Sequence, residues 1–152
     1  MNESVAAYST LEQNRFKSHD LTRGPWDPAH QHAGPPSALV CRAVEFAASV
    51  HGLTHMSRLT TNLLRPVPID DIEVHLKEDY VGKNAGHFSG ELLARGKAVL
   101  RFTALVQREN SVDLPSILPG HPWPSVQCAP ELSEPTEMPF AKDEHRGYSD
   151  LI

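Results

Sequence analysis

The segment from Trp26 to Gly52 constrains the fold most, because it is the only stretch with the length and periodicity of a long helix. Pro35 and Pro36 suit a first helical turn, where a missing N–H costs little. Gly52 is placed to end the helix in a left-handed conformation. Apolar residues recur at the spacing of three and four that lays one helix face on a core, and the predicted apolar face comprises Leu39, Val40, Ala43, Val44, Phe46, Ala47 and Val50.

After His55 the period changes from helical to alternating, which is typical of half-buried strands. Strands are predicted at about 57–65, around 72–77, at 87–94 and at 98–107. The prolines of RPVP interrupt the pattern after the first of these, and RGK at 95–97 predicts a tight connection before the last. The last strand is apolar in part on both faces, so we expect it to lie centrally in the sheet.

These elements predict an α+β domain in which a curved antiparallel sheet wraps over one long helix. Strands and helices do not alternate along the chain, so a Rossmann or barrel fold is not expected. Residues 1–25 are only weakly patterned and predict one or two short strands.

Charge and proline content divide the chain at about residue 112. Residues 1–112 hold 12 acidic and 12 basic residues, whereas residues 113–152 hold 7 acidic and 2 basic ones, which accounts for the net charge of −5. Seven of the 13 prolines also fall in the second part. We therefore expect one domain at 1–112 and a Pro-rich, acidic linker or C-terminal extension at 113–152.

Composition also narrows the class of protein. No basic stripe is present, so a nucleic-acid partner is not expected. No apolar run approaches the roughly 20 residues of a membrane span, and the N-terminus lacks the features of a signal peptide. Cys41 and Cys128 form no CxxC spacing, and Cys41 is interpreted as a small buried residue. These features predict a reduced, cytoplasmic protein without membrane contact.

The polar turn from Asp27 to Gly34 is the best candidate for a functional site. It stands at the start of the helix, where free backbone N–H groups and the helix dipole favour negative charge. Gly34 N–H would stabilise an oxyanion, and Asp27, His30 or His32 would activate water. The alternative is that Asp27 and His32 only cap the helix and that the glycine only makes the turn.

Other chemistries find less support in the sequence. His30, His32, His51 and His55 do not form a recognised zinc spacing, so no metal is expected. A GxSxG nucleophile motif and a phosphate-binding glycine loop are absent, and Cys41 as a nucleophile would need access and an activating base. No cofactor is predicted.

Two segments together resemble the hotdog-fold thioesterases, and in particular the branch related to TesB-type acyl-CoA thioesterases. They are WDPAHQHAGPPSALVCRAVE and LTTNLLRPVPIDDIEVHLKEDYVGKNAGHFSGELLARGKAVLRFTALV. The shared features are a glycine-bearing turn into the long helix, LLRPVP at a strand end and a hairpin into the last strand. The resemblance covers roughly residues 20–108, and it implies a hotdog fold and hydrolysis of acyl-CoA or acyl-carrier thioesters.

The resemblance also implies roles for individual residues. Gly34 would bind the thioester oxygen, and Asp27 or His32 would orient or deprotonate water. Glu45 lies too far along the helix to face a thioester at its start. The predicted substrate-binding residues are Gln31 in the turn, Leu39, Ala43 and Phe46 along the acyl tunnel, and Arg65 and Lys83 near the CoA phosphates.

Hotdog sites form where two hotdogs pair, so the resemblance predicts a homodimer or higher homo-oligomer. TesB-type proteins carry two hotdogs in one chain with the catalytic residues in the second, and this chain resembles the first. A non-catalytic acyl-binding module, or half of a double-hotdog enzyme, is therefore an open alternative. A hydratase acting on enoyl thioesters is another, since it requires an Asp and a His near the helix start.

Overall fold

The computed structural model describes residues 6–111, so the predicted extension at 113–152 lies outside the described residues. Within that range one α-helix and one 3-10 turn accompany six strands. In chain order the elements are β1 (Tyr8–Glu12), β2 (Arg15–Ser18), the 3-10 turn (Asp20–Thr22), α1 (Gly34–Ser49), β3 (His55–Leu63), β4 (Asp71–Val81), β5 (Ala85–Ala94) and β6 (Lys97–Gln107).

All six strands form one antiparallel sheet in the order β1-β2-β4-β5-β6-β3. The helix α1 contacts β3, β4, β5 and β6, which confirms the prediction of one helix covered by an antiparallel sheet. The prediction that β6 is central is also confirmed, because β6 pairs with β5 on one side and β3 on the other. Strand β3 is an edge of the sheet within the described range.

Both ends of α1 form as the sequence predicts. Pro35 and Pro36 occupy the first helical positions. At the other end Gly52 has φ +68°, and its N–H donates to the Ser49 carbonyl at 2.9 Å. The Leu53 N–H donates to the Ala48 carbonyl at 3.2 Å. These two bonds form the Schellman pattern, which satisfies carbonyls that a helix end would otherwise leave without a donor.

The predicted apolar face of α1 is correct along one edge and wrong along the other. The buried residues are Pro36, Leu39, Val40, Val44 and Ala48, whereas Phe46 is 70% exposed and Val50 is 72% exposed. Each residue advances about 100° around a helix, so Phe46 lies about 200° from Val44 and points away from the sheet. The buried face is centred on the row Val40, Val44 and Ala48 instead.

The loop between β3 and β4 brings the proline segment next to the start of the helix. Strand β3 ends at Leu63, as the RPVP prolines predict. Val67 is buried, and its carbonyl accepts a hydrogen bond from the Gln31 N–H at 2.8 Å. The predicted tight connection at RGK is a two-residue turn in which Arg95 and Gly96 both have positive φ.

Candidate functional site

The turn before α1 is held between two backbone segments. The His32 N–H donates to the Thr22 carbonyl at 2.7 Å, and the Gly24 N–H donates to the His30 carbonyl at 2.8 Å. On the opposite side the Gln31 N–H donates to the Val67 carbonyl at 2.8 Å. Because the turn is bonded on both sides, its side chains leave the backbone at defined positions.

Gln31 is the buried polar residue of this turn. Its side-chain amide donates to the Pro68 carbonyl at 2.7 Å, and its Oε1 accepts from the Tyr8 hydroxyl at 2.6 Å. Burial raises the pKa of Tyr8 well above its usual range, so the hydroxyl stays protonated and remains a donor. Gln31 therefore links β1 to the proline loop.

Asp27 closes the first part of the turn on itself. Its Oδ1 accepts from the Ala29 N–H at 2.7 Å, and its Oδ2 lies 3.1 Å from Nδ1 of His30. The helix N-cap is Ala33, whose side chain makes no capping bond. The interpretation of Asp27 as a helix cap is therefore wrong, because its carboxylate is used within the turn.

His32 is bonded directly to the start of the helix. Its Nδ1 accepts a hydrogen bond from the Gly34 N–H at 3.1 Å, so the capping interpretation is correct for His32. A neutral imidazole that accepts at Nδ1 carries its proton on Nε2. The predicted water-activating nitrogen and the predicted oxyanion donor are thus bonded to each other, and both become available if the imidazole turns away.

A cavity of about 830 Å³ lies between this site and the β1–β2 hairpin. His32, Gly34 and Leu39 all lie on its wall, whereas Ala43 and Phe46, the other predicted tunnel residues, do not. Ala43 packs against the core, and Phe46 points outward. The complete lining is Ala7, Tyr8, Thr10, Phe16, Leu21, His32, Gly34, Pro35, Ala38, Leu39 and Arg42.

A second cavity, of about 190 Å³, lies on the other side of the turn and is lined by Gln31, Ala33 and Arg65 among others. Arg65 is therefore close to the predicted site. Lys83 is not, because its carbonyl accepts a bond from Arg108, which also bonds the His51 carbonyl just beyond the end of α1. The 16 residues of α1 separate Lys83 from the turn by roughly 24 Å at 1.5 Å per residue.

Cys41 and Glu45 lie on the helix away from its start. Cys41 is partly buried rather than fully buried, and burial together with the nearby Glu45 carboxylate raises the pKa of its thiol. A raised pKa keeps the thiol protonated, so this environment does not favour a nucleophile. Within residues 6–111 no cluster of three or more His, Cys, Asp or Glu could hold a metal ion. No helix of that range is long and apolar enough to span a membrane.

Sequence reasoning missed two residues of this region, Tyr8 and Arg42. Tyr8 lies in a weakly patterned segment, and nothing in the sequence indicates its bond to Gln31. Arg42 carries a detectable signal, because Gly34, Ala38 and Arg42 follow one another at intervals of four along the helix. That spacing places them on one face, and all three line the larger cavity.

Solved structures that resemble this fold come from hotdog thioesterases and related proteins. The PaaI protein of E. coli, from the phenylacetic acid degradation operon, superposes with a TM-score of 0.57 at 20% identity, covering 64% of this chain and 72% of that one. The BH2602 protein of Bacillus halodurans, solved with CoA, gives 0.56 at 17%, covering 61% and 64%. The tesB protein of Mycobacterium avium subs paratuberculosis gives 0.56 at 20%, covering 77% of this chain but 45% of that one.

The sequence itself gives the more specific comparison. No curated protein matches the chain. The family model described as the acyl-CoA thioesterase N-terminal domain matches residues 22–107, which is more than half of the 152 residues and includes the turn, the helix and strands β3 to β6. The chain therefore belongs to the acyl-CoA thioesterase N-terminal domain family, within the hotdog thioesterase superfamily.

Proposed function

We propose that this protein hydrolyses acyl-CoA or acyl-carrier thioesters at the start of α1. The observation that carries the proposal is the His32–Gly34 pair on the wall of the larger cavity. It places a basic nitrogen and a backbone N–H at a helix N-terminus together, beside a space large enough for an acyl group. Membership of the acyl-CoA thioesterase family supports the same activity.

The proposed reaction begins when the thioester oxygen replaces His32 as the acceptor of the Gly34 N–H. The released Nδ1 of His32 takes a proton from water while the water oxygen attacks the carbonyl carbon. Gly34 N–H then stabilises the oxyanion of the tetrahedral intermediate. Collapse of the intermediate breaks the C–S bond, and the departing thiolate takes the proton from His32. Asp27 keeps the turn closed and is the alternative group for orienting the water.

Substrate contacts follow from the two cavities. The acyl group would lie in the larger cavity against Leu39, and the CoA or carrier arm would pass Gln31 and Arg65 at the smaller one. The bound CoA of the Bacillus halodurans protein supports CoA as the carrier. Lys83, Ala43 and Phe46 are not part of this proposed site, because they lie outside both cavities. The cytoplasmic location stays a prediction from the sequence.

The proposed active form contains a second hotdog, supplied by another copy of this chain. Phe46 on α1 and Val50, the residue just after the helix, form an exposed apolar surface, and the outer edge of β3 has no strand beside it within residues 6–111. The chain covers 45% of the Mycobacterium avium tesB protein, which supports a correspondence with one half of a larger enzyme.

The proposed roles are tested by measuring CoA release with variants of the turn. We expect His32→Ala to lower kcat/KM by about 100-fold, as is typical for loss of a general base. Asp27→Asn keeps an acceptor for Ala29 and should have a smaller effect if Asp27 only holds the turn. His75→Ala is the matched control, because His75 is exposed on β4 and its imidazole is bonded to the Glu73 carboxylate, away from the turn. Equal turnover in His32→Ala and His75→Ala would remove His32 from the mechanism.

Two alternatives make different predictions in the same experiments. A hydratase would add water to an enoyl-CoA without releasing CoA, and its Asp–His pair would have to draw on Asp27, whose carboxylate contacts His30. A non-catalytic module would bind acyl-CoA and release nothing. Loss of enoyl absorbance without thiol release identifies the hydratase, and saturable binding without either change identifies the module.

A further inference from the structure

Arg42 carries a positive charge on the wall of the larger cavity, and the proposed mechanism does not use it. Within residues 6–111 its guanidinium has neither a hydrogen bond nor an ion pair. Glu45, one turn further along the helix, contacts Cys41. Arg42 is exposed, and it therefore presents at this cavity a positive charge that no carboxylate of the described residues pairs with.

The position of Arg42 relates it to the reacting carbonyl. Gly34, Ala38 and Arg42 lie on one face of α1, and eight residues separate the first from the last, about 12 Å at 1.5 Å per residue. Side chains on a helix lean toward its N-terminus, so the guanidinium lies nearer to Gly34 than its Cα does. Gly34 and Ala38 are small residues, so they leave open the space between the Gly34 N–H and the Arg42 guanidinium.

The cavity surface between Gly34 and Arg42 is largely apolar. Leu39, Pro35, Leu21 and Phe16 line it, and the Tyr8 hydroxyl is already bonded to Gln31. Such a surface suits a hydrocarbon chain better than the amide-bearing pantetheine arm, whose polar groups would find few partners there. A ligand that is apolar along its length and anionic at its far end matches both the lining and the charge.

We propose that Arg42 selects acyl groups that end in a carboxylate, so that the preferred substrates are medium-length ω-carboxyacyl thioesters. The guanidinium offers two parallel N–H donors, which match the two oxygens of a carboxylate. This inference rests on the proposed thioesterase function and adds a substrate class to it. Arg42 acts on specificity alone, since it lies away from the thioester carbon.

The test compares ω-carboxyacyl-CoAs with simple acyl-CoAs of equal chain length, over a series of lengths. We expect the wild-type protein to prefer the ω-carboxy member of the best pair by about tenfold in kcat/KM, which is the scale of one charge-assisted hydrogen bond. Arg42→Gln should abolish this preference by lowering kcat/KM for the ω-carboxy member more than for the simple acyl-CoA, and Arg42→Glu should reverse it. Arg101→Gln removes the same charge from the outer sheet face, where Arg101 pairs with Glu91, and should keep the preference.

Two results would overturn the inference. One is an equal kcat/KM of the wild-type protein for both members of every pair. The other is an Arg42→Gln variant that keeps the preference, either because its kcat/KM is unchanged or because it falls by the same factor on both members, which would place Arg42 on a phosphate of CoA instead.

A binding measurement separates this inference from the proposed function. Thioether analogues, S-(ω-carboxyalkyl)-CoA and S-alkyl-CoA, cannot be hydrolysed, so their Kd values report recognition alone. We expect tighter binding of the carboxylated analogue to the wild-type protein and equal binding to Arg42→Gln. If no substrate releases CoA, the proposed hydrolysis fails, and these Kd values still decide the role of Arg42: equal wild-type values would overturn it.

Discussion

At the scale of single residues, the site depends on hydrogen bonds that the turn makes with itself and with β1. His32 accepts from Gly34, Asp27 accepts from Ala29, and Gln31 is bound by Tyr8 and the Pro68 carbonyl. Each of these three side chains is therefore already hydrogen-bonded before a substrate arrives. In the proposed reaction the substrate replaces the bond between His32 and Gly34, whereas the bonds of Gln31 keep the turn in place.

Removing the Tyr8 hydroxyl tests the link between β1 and the turn. Tyr8→Phe leaves Oε1 of Gln31 without its donor in a position where Gln31 is only 9% exposed. We expect the free energy of unfolding, measured in urea, to fall by about 1 kcal/mol. Tyr80→Phe is the matched control. Tyr80 is 63% exposed, so removal of its hydroxyl should change the free energy of unfolding by less than about 0.5 kcal/mol. Equal effects of the two substitutions would contradict the role given to Tyr8.

The raised pKa of Tyr8 predicts a dependence of stability on alkaline pH. The folded protein holds the phenolic proton more tightly than the unfolded chain, in which Tyr8 titrates near its ordinary pKa of 10.0. The contribution of this group is therefore fully present below pH 10.0 and is lost as pH rises toward the folded pKa. Unfolding curves should show a steeper loss of stability above pH 10 for the wild-type protein than for Tyr8→Phe. Parallel losses would show that Tyr8 titrates alike in both states.

At the scale of elements, the ends of α1 follow from the sequence and its outward face does not. Pro35, Pro36 and Gly52 are local signals, since each acts through its own backbone geometry. Whether Phe46 and Val50 point toward the core depends on which part of the helix the sheet covers, and the helical period alone does not determine this. An apolar residue at the border of the apolar face can be buried or exposed, and here both residues are exposed.

The candidate site was also predictable only in part, because local signals can be read from the sequence and tertiary packing cannot. The turn, His32 and Gly34 carry local signals for a helix start, and the structure brings them together. The wall formed by the β1–β2 hairpin was not predictable, because β1 is largely exposed and therefore shows little alternation. Arg42 and that hairpin line the same cavity although they are far apart in the sequence, and a single sequence does not reveal which strand lies beside a given helix turn.

Two glycines allow the helix end to be tested against a matched position. Gly52 and Gly96 both have positive φ, but a Cβ at Gly52 would lie 2.9 Å from the Arg108 guanidinium, whereas one at Gly96 has nothing within 4 Å. Gly96→Ala should cost about 1–2 kcal/mol from the left-handed backbone alone. Gly52→Ala should cost more, because Arg108 must also leave the carbonyls of His51 and Lys83. A smaller loss of unfolding free energy for Gly52→Ala would contradict this account.

At the scale of the whole molecule, the described hotdog leaves an apolar helix face and a sheet edge uncovered. Exposed apolar groups that lie together mark surfaces that another chain covers. Phe46 in the last turn of α1 and Val50 at its C-cap are four residues apart, so they form such a surface. The sequence resemblance predicted pairing of hotdogs, and this surface supports it as a proposal.

Charge placed on that surface should separate the two hotdogs. We expect the wild-type chain to sediment at twice its mass of 16.8 kDa and Phe46→Glu to move toward 16.8 kDa at equal concentration, because a carboxylate in an apolar interface must be desolvated. Leu11→Glu is the control, since Leu11 is 46% exposed on β1, on a different element. A Phe46→Glu variant that sediments like the wild-type protein would exclude this face from the interface.

The most direct test of the whole account is release of free CoA from a panel of short, medium and long acyl-CoAs by the purified wild-type chain. A thiol-reactive dye reports the product, and the same preparation is shown to be folded by its urea transition. We expect saturable CoA release that depends on acyl length, because the acyl group of the proposed reaction lies in the cavity beside α1. No release from any member of the panel by the folded protein would contradict it.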